Sequence, residues 1–206
     1  MVMTTPLDAV PKTSLRARRR ARTHDEILES VVHVFAIDGG SGAVIDQIAT
    51  EAGLSRATLY SYFPGGVDEL IAAAYDWLGE QFVQQAEERL RGLSDWRSRI
   101  LTHAELMAEW GSDRYRGAFY NIVGPKLISA THPTGVGSQS TLRLVETELA
   151  RAQEIGEVDE AVDPRSVAAL LTGCVKVIGV ESARNKASAD SHLEALRALL
   201  RGLDRA

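Results

Sequence analysis

The chain has 206 residues, enough for one large domain or two small ones. Hydrophobic residues make up 45% of it and charged residues 25%, a globular balance that excludes a wholly disordered chain. The net charge of −5, taken alone, argues against a nucleic-acid partner.

The single cysteine, Cys174, excludes an internal disulfide and suits a reducing cytoplasm. No apolar run reaches the length expected of a membrane span, and the start lacks the apolar core of a secretion signal. The histidines are not spaced for a helical metal site, which leaves a site built from ligands far apart in sequence as the alternative. We therefore expect a cytoplasmic protein with no membrane association, no metal and no cofactor.

The charge is distributed unevenly along the chain. Residues 1–22 hold six basic side chains and one acid, Asp8, and so carry +5, which leaves −10 for the remainder. Such asymmetry is typical of a basic arm on an acidic body, and an arm of this kind attracts phosphate. The alternative is a tail that charge merely keeps soluble. Residues 1–19 are expected to be this disordered basic arm.

The first helix is expected to start at Thr23. Thr23 and Glu26 have the spacing of a capping box, and apolar residues at helical spacing follow from Ile27 to Phe35. A glycine-rich segment at 38–42 ends this helix.

Residues 45–63 predict two short helices joined by a tight turn. The first has an apolar face at helical spacing and stops at Gly53, where a left-handed residue commonly ends a helix. Ser55 offers an N-cap for the second helix, and Pro64 stops it. This is the plan of the DNA-reading helix-turn-helix, although an ordinary helical hairpin is the alternative.

The second short helix offers side chains suited to phosphate oxygens and base edges. Leu59 and Phe63 are expected to face the core. The residues expected to lie outside are Arg56, Thr58, Tyr60, Ser61 and Tyr62.

The segment GLSRATLYSYF at 53–63, followed by Pro64 and by DEL at 68–70, resembles the signature of the tetracycline-repressor (TetR) family of transcription regulators. The preceding THDEILESVVHVFAIDGG at 23–40 is similar to the family's first helix and its end. The resemblance covers roughly residues 20–75. It implies an all-α fold with a three-helix DNA-binding domain at 20–66 and a larger helical ligand-binding and dimerisation domain at 67–206.

The resemblance also implies a function. It implies a sequence-specific repressor that binds double-stranded DNA as a homodimer and is released from a palindromic operator by a small-molecule effector, and it implies no enzymatic activity. Arg56 and Ala57 would meet base edges. Thr58, Tyr60 and Tyr62 would mainly contact phosphates, and Gln47 would approach the DNA backbone from the first short helix. The full set expected at the DNA is Gln47, Ser55, Arg56, Ala57, Thr58, Tyr60, Ser61 and Tyr62. Many family members have a phosphate-binding lysine near Val67, a contact that valine cannot make.

Beyond this region the spacing of apolar residues predicts further helices and no sheet. The predicted segments are a long helix at about 67–91, one at 94–110, one from 115 interrupted at 124–125, a loop at 129–139, a helix ending near 156, one from 163 and a last one capped by Ser191 and Glu194.

Aromatic residues in this part are candidates for an effector pocket, which would then accept a largely apolar ligand with a flat portion. Aromatic residues at helical spacing are more often simply core. The candidates are Trp77, His103, Trp110, Tyr115, Phe119 and Tyr120.

The segment SVAALLTGCVKVIGV at 166–180 is apolar nearly all round, and a leucine stripe follows it. The resemblance implies that these last two helices meet their twins in a four-helix dimer interface, whereas the alternative is that they complete a monomeric core. The expected interface residues are Val167, Leu170, Leu171, Cys174, Val175, Ile178, Leu193, Leu196 and Leu200.

Two other classes of protein are alternatives to a regulator. An enzyme using Cys174 and His103 is disfavoured, since a cysteine in an apolar helix is usually a small core residue. A helical protein-protein adaptor without specific DNA binding explains the apolar terminal helices. It does not explain an exposed, polar second helix beside a basic arm.

Overall fold

The computed structural model describes residues 14–39, 43–128 and 135–204, without the side chains of Lys186 and Ala187. All regular elements in these ranges are helical, which confirms the predicted all-α fold. They are α1 (Leu15–Asp38), α2 (Val44–Glu51), α3 (Arg56–Tyr62), α4 (Gly66–Leu90), α5 (Trp96–Ser112), α6 (Arg114–Ala118), a π-helical turn (Phe119–Val123), α7 (Gly124–Leu127), α8 (Val136–Glu154), α9 (Pro164–Arg184) and α10 (Lys186–Arg201).

Helix α1 begins at Leu15 and not at Thr23. The Oγ of Ser14 caps it by accepting a hydrogen bond from the N–H of Ala17 at 3.2 Å. The predicted capping box is wrong, because the Glu26 carboxylate instead accepts a hydrogen bond from Nε of Arg22 at 2.9 Å. The part of the predicted arm within the described ranges is therefore helical, and residues 1–13 lie outside them.

Helices α1, α2 and α3 enclose a small core of aliphatic and aromatic side chains. Gly39 and Gly53 have φ values of +62° and +65°, so each ends its helix in the left-handed conformation that favours glycine. Helices of seven or eight residues are marginal alone, so burial of residues such as Ile48 and Leu59 supports them.

Helix α4 links this unit to the rest of the molecule. Its 25 residues, about 37 Å of helix, agree closely with the predicted helix at 67–91. One end packs against α1 and α2, and further along it packs against α5, α7 and α8. Both parts of the protein therefore share one rigid element.

Helices α5 to α10 form the body of the protein. They are arranged around α5, which packs against α4, α6, α8, α9 and α10. The Asp95 carboxylate caps α5 by accepting from the N–H of Ser98 at 2.7 Å. Asp163 caps α9 by accepting from the N–H of Ser166 at 3.1 Å. Hydrogen bonds from Ser166 lower the pKa of the Asp163 carboxyl.

Two predicted helix boundaries in the body are wrong. Helix α10 begins at Lys186, so Ser191 lies within it and donates to the carbonyl of Ser188 at 2.9 Å. The pair at 124–125 does not interrupt the chain. The π-helical turn runs straight into α7, because Pro125 lies at the start of that helix, where its missing N–H costs little.

The predicted loop at 129–139 is shorter at its end, since α8 starts at Val136, and residues 129–134 are outside the described ranges. Within the described residues one helix, α9, is long and apolar enough by composition to cross a membrane. The expectation that no such run exists is wrong in this respect. Packing of α9 against α5, α8 and α10 accounts for much of its apolar character within the fold.

Candidate nucleic-acid interface

Helix α3 is held by its own hydroxyl groups. The Ser55 Oγ accepts from the N–H of Thr58 at 3.1 Å and hydrogen-bonds with the Thr58 hydroxyl at 2.8 Å. The Ser61 hydroxyl donates to the Thr58 carbonyl at 2.7 Å. Three of the hydroxyls expected at DNA thus stabilise the helix itself, which leaves fewer free groups for a ligand.

The predicted inner and outer faces of α3 are both present. Leu59 and Phe63 are buried in the core beneath the helix. Arg56, Ala57, Tyr60 and Ser61 are exposed. Thr58 and Tyr62, also expected outside, are half-buried. Tyr60 retains 46% of its surface. An aromatic ring with that much exposure on a polar helix is available for contact.

Arg56 has an intramolecular partner that the sequence reasoning missed. Its Nε and Nη2 donate to the two carboxylate oxygens of Asp46, which lies on α2. These hydrogen bonds, together with the negative charge of Asp46, raise the pKa of the Arg56 guanidinium. The pair joins the two helices of the helix-turn-helix. The only sign of this pair in the sequence is an acid in the first turn of α2. Acids are common at that position because the helix dipole favours them.

Gln47 differs from the rest of the predicted set. Its Nε2 donates to the Asp38 carboxylate at the end of α1, at 3.1 Å. Its Oε1 is buried and without a hydrogen-bond partner in the part of the chain that the structure describes. The amide is therefore engaged by α1, and its proposed approach to the DNA backbone would require it to leave Asp38.

The basic residues of α1 lie beside the end of α3. The Arg20 guanidinium is 4.8 Å from the centre of the Tyr62 ring, within range of a cation–π interaction, and the His24 and Phe63 rings are 5.1 Å apart. The side chains of residues 16–20 are exposed. A short row of cations thus extends the polar surface of α3.

The start of α4 carries an acid where a cation would suit phosphate. The Glu69 carboxylate accepts from the N–H of Gly65 at 2.6 Å. Val67 is half-buried and packs against the core. Neither residue offers the phosphate contact that a lysine at this point would supply.

Three of the six effector candidates, His103, Trp110 and Tyr120, lie in one buried aromatic cluster. The Phe82 ring is 5.7 Å from that of His103 and 5.6 Å from that of Trp110, and Trp110 is 6.0 Å from Tyr120. Phe119 is fully buried against Phe35 of α1. These side chains pack on one another, which fits the core alternative as well as a closed pocket.

The other two candidates are elsewhere. Trp77 lines a groove between α1 and α4 that also includes Asp25 and Gln81. The Tyr115 ring is 4.4 Å from that of His33, at the contact between α6 and α1. The six candidates therefore do not share one cluster. Sequence reasoning missed Tyr75, stacked 4.8 Å from Tyr120, although its spacing from Phe82 on α4 suits a shared face.

His103 and Tyr120 have shifted acidities in this cluster. Burial lowers the pKa of His103 to about 4, because the imidazolium would lose its hydration. Its Nδ1 has no hydrogen-bond partner among the described residues. Burial also raises the pKa of the Tyr120 hydroxyl. Both groups are therefore neutral near pH 7, and the cluster is apolar.

Most of the predicted dimer residues face the subunit's own core. Leu170 is exposed, and Val167 and Cys174 are partly exposed. The other six are buried within the subunit, so a partner would not contact them directly. The six buried residues are Leu171, Val175, Ile178, Leu193, Leu196 and Leu200. Since both helices are apolar on more than one side, the spacing could not tell the inner face from the outer.

The outer face of α9 and α10 carries a different apolar set. Leu170 is 71% exposed, Val177 is 50% exposed and Leu199 is 56% exposed. Gly173 lies between the first two with open space at its Cα. Leu170, Gly173 and Val177 recur at helical spacing, so they form one stripe along α9. Val177 and Leu199 are not among the expected interface residues.

The fold and this site define an all-helical protein with an N-terminal helix-turn-helix, an exposed polar second helix and a helical body joined through α4. Within the described residues no group of His, Cys, Asp or Glu side chains is placed to hold a metal ion.

Comparison with known proteins agrees with this class. Residues 27–74 match the family model for bacterial regulatory proteins of the tetR family. The HTH-type transcriptional repressor NicS of Pseudomonas putida is 38% identical over 80 residues, which span 39% of this chain and 37% of that protein. The sequence similarity to the tetR family lies in the helix-turn-helix and its flanks.

Solved structures extend the likeness of fold over most of the chain. A TetR-family transcriptional regulator from Pectobacterium atrosepticum has a TM-score of 0.71 at 20% identity, over 94% of this chain and 99% of that one. FadR of Bacillus subtilis, solved in complex with stearoyl-CoA, has a TM-score of 0.69 at 17% identity, over 84% and 97%. At these identities the likeness concerns the fold alone.

Proposed function

We propose that the protein is a sequence-specific DNA-binding transcriptional regulator. The observation that carries the proposal is α3, whose exposed Arg56, Ala57 and Tyr60 stand on a helix-turn-helix beside the cations of α1. Such a helix fits the major groove and combines a base-reading arginine with phosphate contacts. An adaptor role leaves this surface unexplained. The proposed role is binding and not catalysis. The proposed location is the cytoplasm.

In the proposed division of labour, residues 20–66 read DNA and residues 67–206 bind the effector and dimerise. The partner in the dimer is a second copy, which packs on the outer face of α9 and α10. The stripe through Leu170, Gly173 and Val177 supports this interface, since its apolar surface is exposed in the single subunit and a second copy would bury it. Two reading helices related by a two-fold axis would meet half-sites about 34–36 Å apart, or a multiple of that distance.

The sign of regulation is proposed to be repression, which the name of NicS supports. The effector is proposed to be a largely apolar small molecule that parts the aromatic cluster around Phe82, Trp110 and Tyr120. The acyl chain bound by FadR of Bacillus subtilis is an apolar ligand of this general kind. If the effector lowers the affinity of the protein for DNA by some factor, linkage requires that bound DNA lower the affinity for the effector by that factor.

Mobility shift with short duplexes from around the protein's own gene, at several salt concentrations, tests the DNA-binding proposal. We expect tight binding to one duplex, with protection of a palindrome, and much weaker binding to the others. Weak binding to every duplex that vanishes with modest salt would leave only the cations of α1 at work and would refute sequence-specific reading.

A further inference from the structure

The Arg56 guanidinium is bound by Asp46 along one edge only. A guanidinium is planar and has five N–H donors: one on Nε and two on each terminal nitrogen. Asp46 accepts from Nε and from one hydrogen of Nη2. Both hydrogens of Nη1 and the second hydrogen of Nη2 remain. These form the end of the fork, the edge that can donate in parallel to O6 and N7 of a guanine.

Asp46 also restricts where that free edge lies. Arg56 is the first residue of α3 and its side chain is 64% exposed, so without a partner it would sample many rotamers. Asp46 belongs to α2, and α2 is anchored by the buried side chains of Val44 and Ile48. The arginine is thus held to the scaffold of the helix-turn-helix, and less of its freedom remains to be lost on binding DNA.

The same carboxylate cancels the charge that Arg56 would offer to any phosphate. The two groups together carry no net charge. In contrast, Arg18, Arg19 and Arg20 of α1 form no salt bridge within the described residues, and Arg22 is paired with Glu26. Non-specific affinity depends on the number of phosphates that cations neutralise. The pair therefore separates two tasks: α1 supplies general attraction, and Arg56 is reserved for a base.

We propose that Asp46 is a positioning residue that makes Arg56 a reader of guanine and prevents it from acting as a general phosphate binder. The inference rests on the proposed function and adds to it one specificity-determining residue outside the reading helix. The observation behind it is the bidentate hydrogen bonding of Arg56 on α3 to Asp46 on α2.

The test compares the wild type with Asp46→Asn, a change that keeps the size of the side chain but removes its charge and one acceptor oxygen. Each protein selects sites from a randomised duplex library of about 30 base pairs, long enough for two half-sites. Dissociation constants for the selected and scrambled duplexes are then measured at several salt concentrations. Thermal unfolding of each variant verifies that it is folded.

For Asp46→Asn we expect tighter binding to scrambled DNA and a salt slope steeper by about 1 per subunit, since one more cation reaches phosphate. The ratio of specific to scrambled affinity should fall roughly tenfold or more, the size of one lost bidentate base contact. The preference for one G·C pair in each half-site should disappear from the selected sequences. An unchanged ratio with an unchanged salt slope would overturn the inference.

Two controls separate positioning from background charge. Glu51→Gln removes an equal charge from the same helix, but Glu51 pairs with His33 and not with Arg56, so discrimination should remain intact. In an Arg56→Ala background, Asp46→Asn should no longer change the specificity ratio. If it raises scrambled binding equally in both backgrounds, Asp46 acts only as a repelling charge and the positioning role is wrong.

The failure of the inference is distinguishable from failure of the proposed function. A wild type that selects no common site from the library would refute sequence-specific reading itself. A wild type that selects a palindrome, while Asp46→Asn selects the same one with the same ratio, would refute only the role of Asp46.

Discussion

Helices α2 and α3 differ from α5, α9 and α10 in where their candidate functional residues lie. In the helix-turn-helix, Arg56 and Tyr60 are exposed and a handful of apolar residues hold the unit from beneath. In the body, His103, Trp110 and Tyr120 are buried and form the core itself. The helix-turn-helix unit, α1 to α3, is the head of the molecule, and its exposed residues can change their contacts without loss of the fold. In the body, the candidate ligand-binding side chains are also the ones that form the stabilising core. The most informative experiments therefore ask whether the two regions respond differently to substitution.

The largest effect is expected at the outer face of the body. Leu170→Glu should convert the proposed dimer to a monomer. Two leucine side chains per dimer would lose burial worth about 3–6 kcal/mol in all, and two carboxylates would be forced into the interface. Sedimentation velocity measures the change. Ile155→Glu, at an exposed apolar position outside α9 and α10, should remain dimeric. A Leu170→Glu protein that still sediments as a dimer would place the interface on another face.

The next effect separates stability in the body from stability in the head. Phe82 is fully buried between the rings of His103 and Trp110, so Phe82→Ala should lower the free energy of unfolding by about 3–5 kcal/mol. Tyr60→Ala, on the exposed face of α3, should change it by less than about 0.5 kcal/mol. Urea unfolding followed by circular dichroism gives both values. Similar losses for the two variants would remove the contrast between the regions.

The third effect is a pH dependence located in the body. His103 is buried and neutral, with its pKa lowered to about 4 from an unfolded value near 6.5. The unfolded chain therefore takes up a proton first, and stability present above pH 6.5 is lost as the pH falls from 6.5 to 4. The loss from this one group is about 3 kcal/mol.

His103→Leu should flatten that part of the stability curve relative to wild type. Urea unfolding between pH 7 and pH 4 measures the difference between the two proteins, which removes the contribution of the carboxylates they share. Parallel curves for the two proteins across this range would show that His103 is hydrated or paired and not buried alone.

The smallest energetic effect is expected in the head, where it has the clearest functional meaning. Arg56→Ala should reduce discrimination between the selected and altered operators by about 1–3 kcal/mol per half-site and leave the fold intact. Tyr60→Phe should weaken binding to all sequences alike, since its hydroxyl is expected at phosphate. Titration over a set of operator variants distinguishes the two patterns. An equal loss on every operator for Arg56→Ala would remove its role at a base.

Much of the head could be predicted because its signals are local. Gly53 ends α2 through its backbone conformation, Ser55 caps α3 through a hydrogen bond three residues away, and Pro64 stops the helix by its own geometry. The start of α1 was not predictable in the same way. Ser14 and Thr23 are both plausible caps by composition, and only packing beside Tyr62 shows that the basic residues continue the helix.

The apolar body was less predictable, for a physical reason. Helix α9 is apolar on several sides, and the hydrophobic effect has no direction, so its spacing gave no basis for separating Val175 in the core from Val177 on the surface. Similarly, aromatic residues at helical spacing could not reveal that Trp77 and Tyr115 lie apart from the cluster at Trp110.

The amino-acid sequence by itself determined the all-helical class and the helix-turn-helix, because capping, turn chemistry and helical spacing act over a few residues. The tertiary structure alone decided which face of α9 is free, which aromatic residues share a cluster and which acid holds Arg56. These depend on contacts between elements, and side chains distant in sequence meet only when the helices have packed.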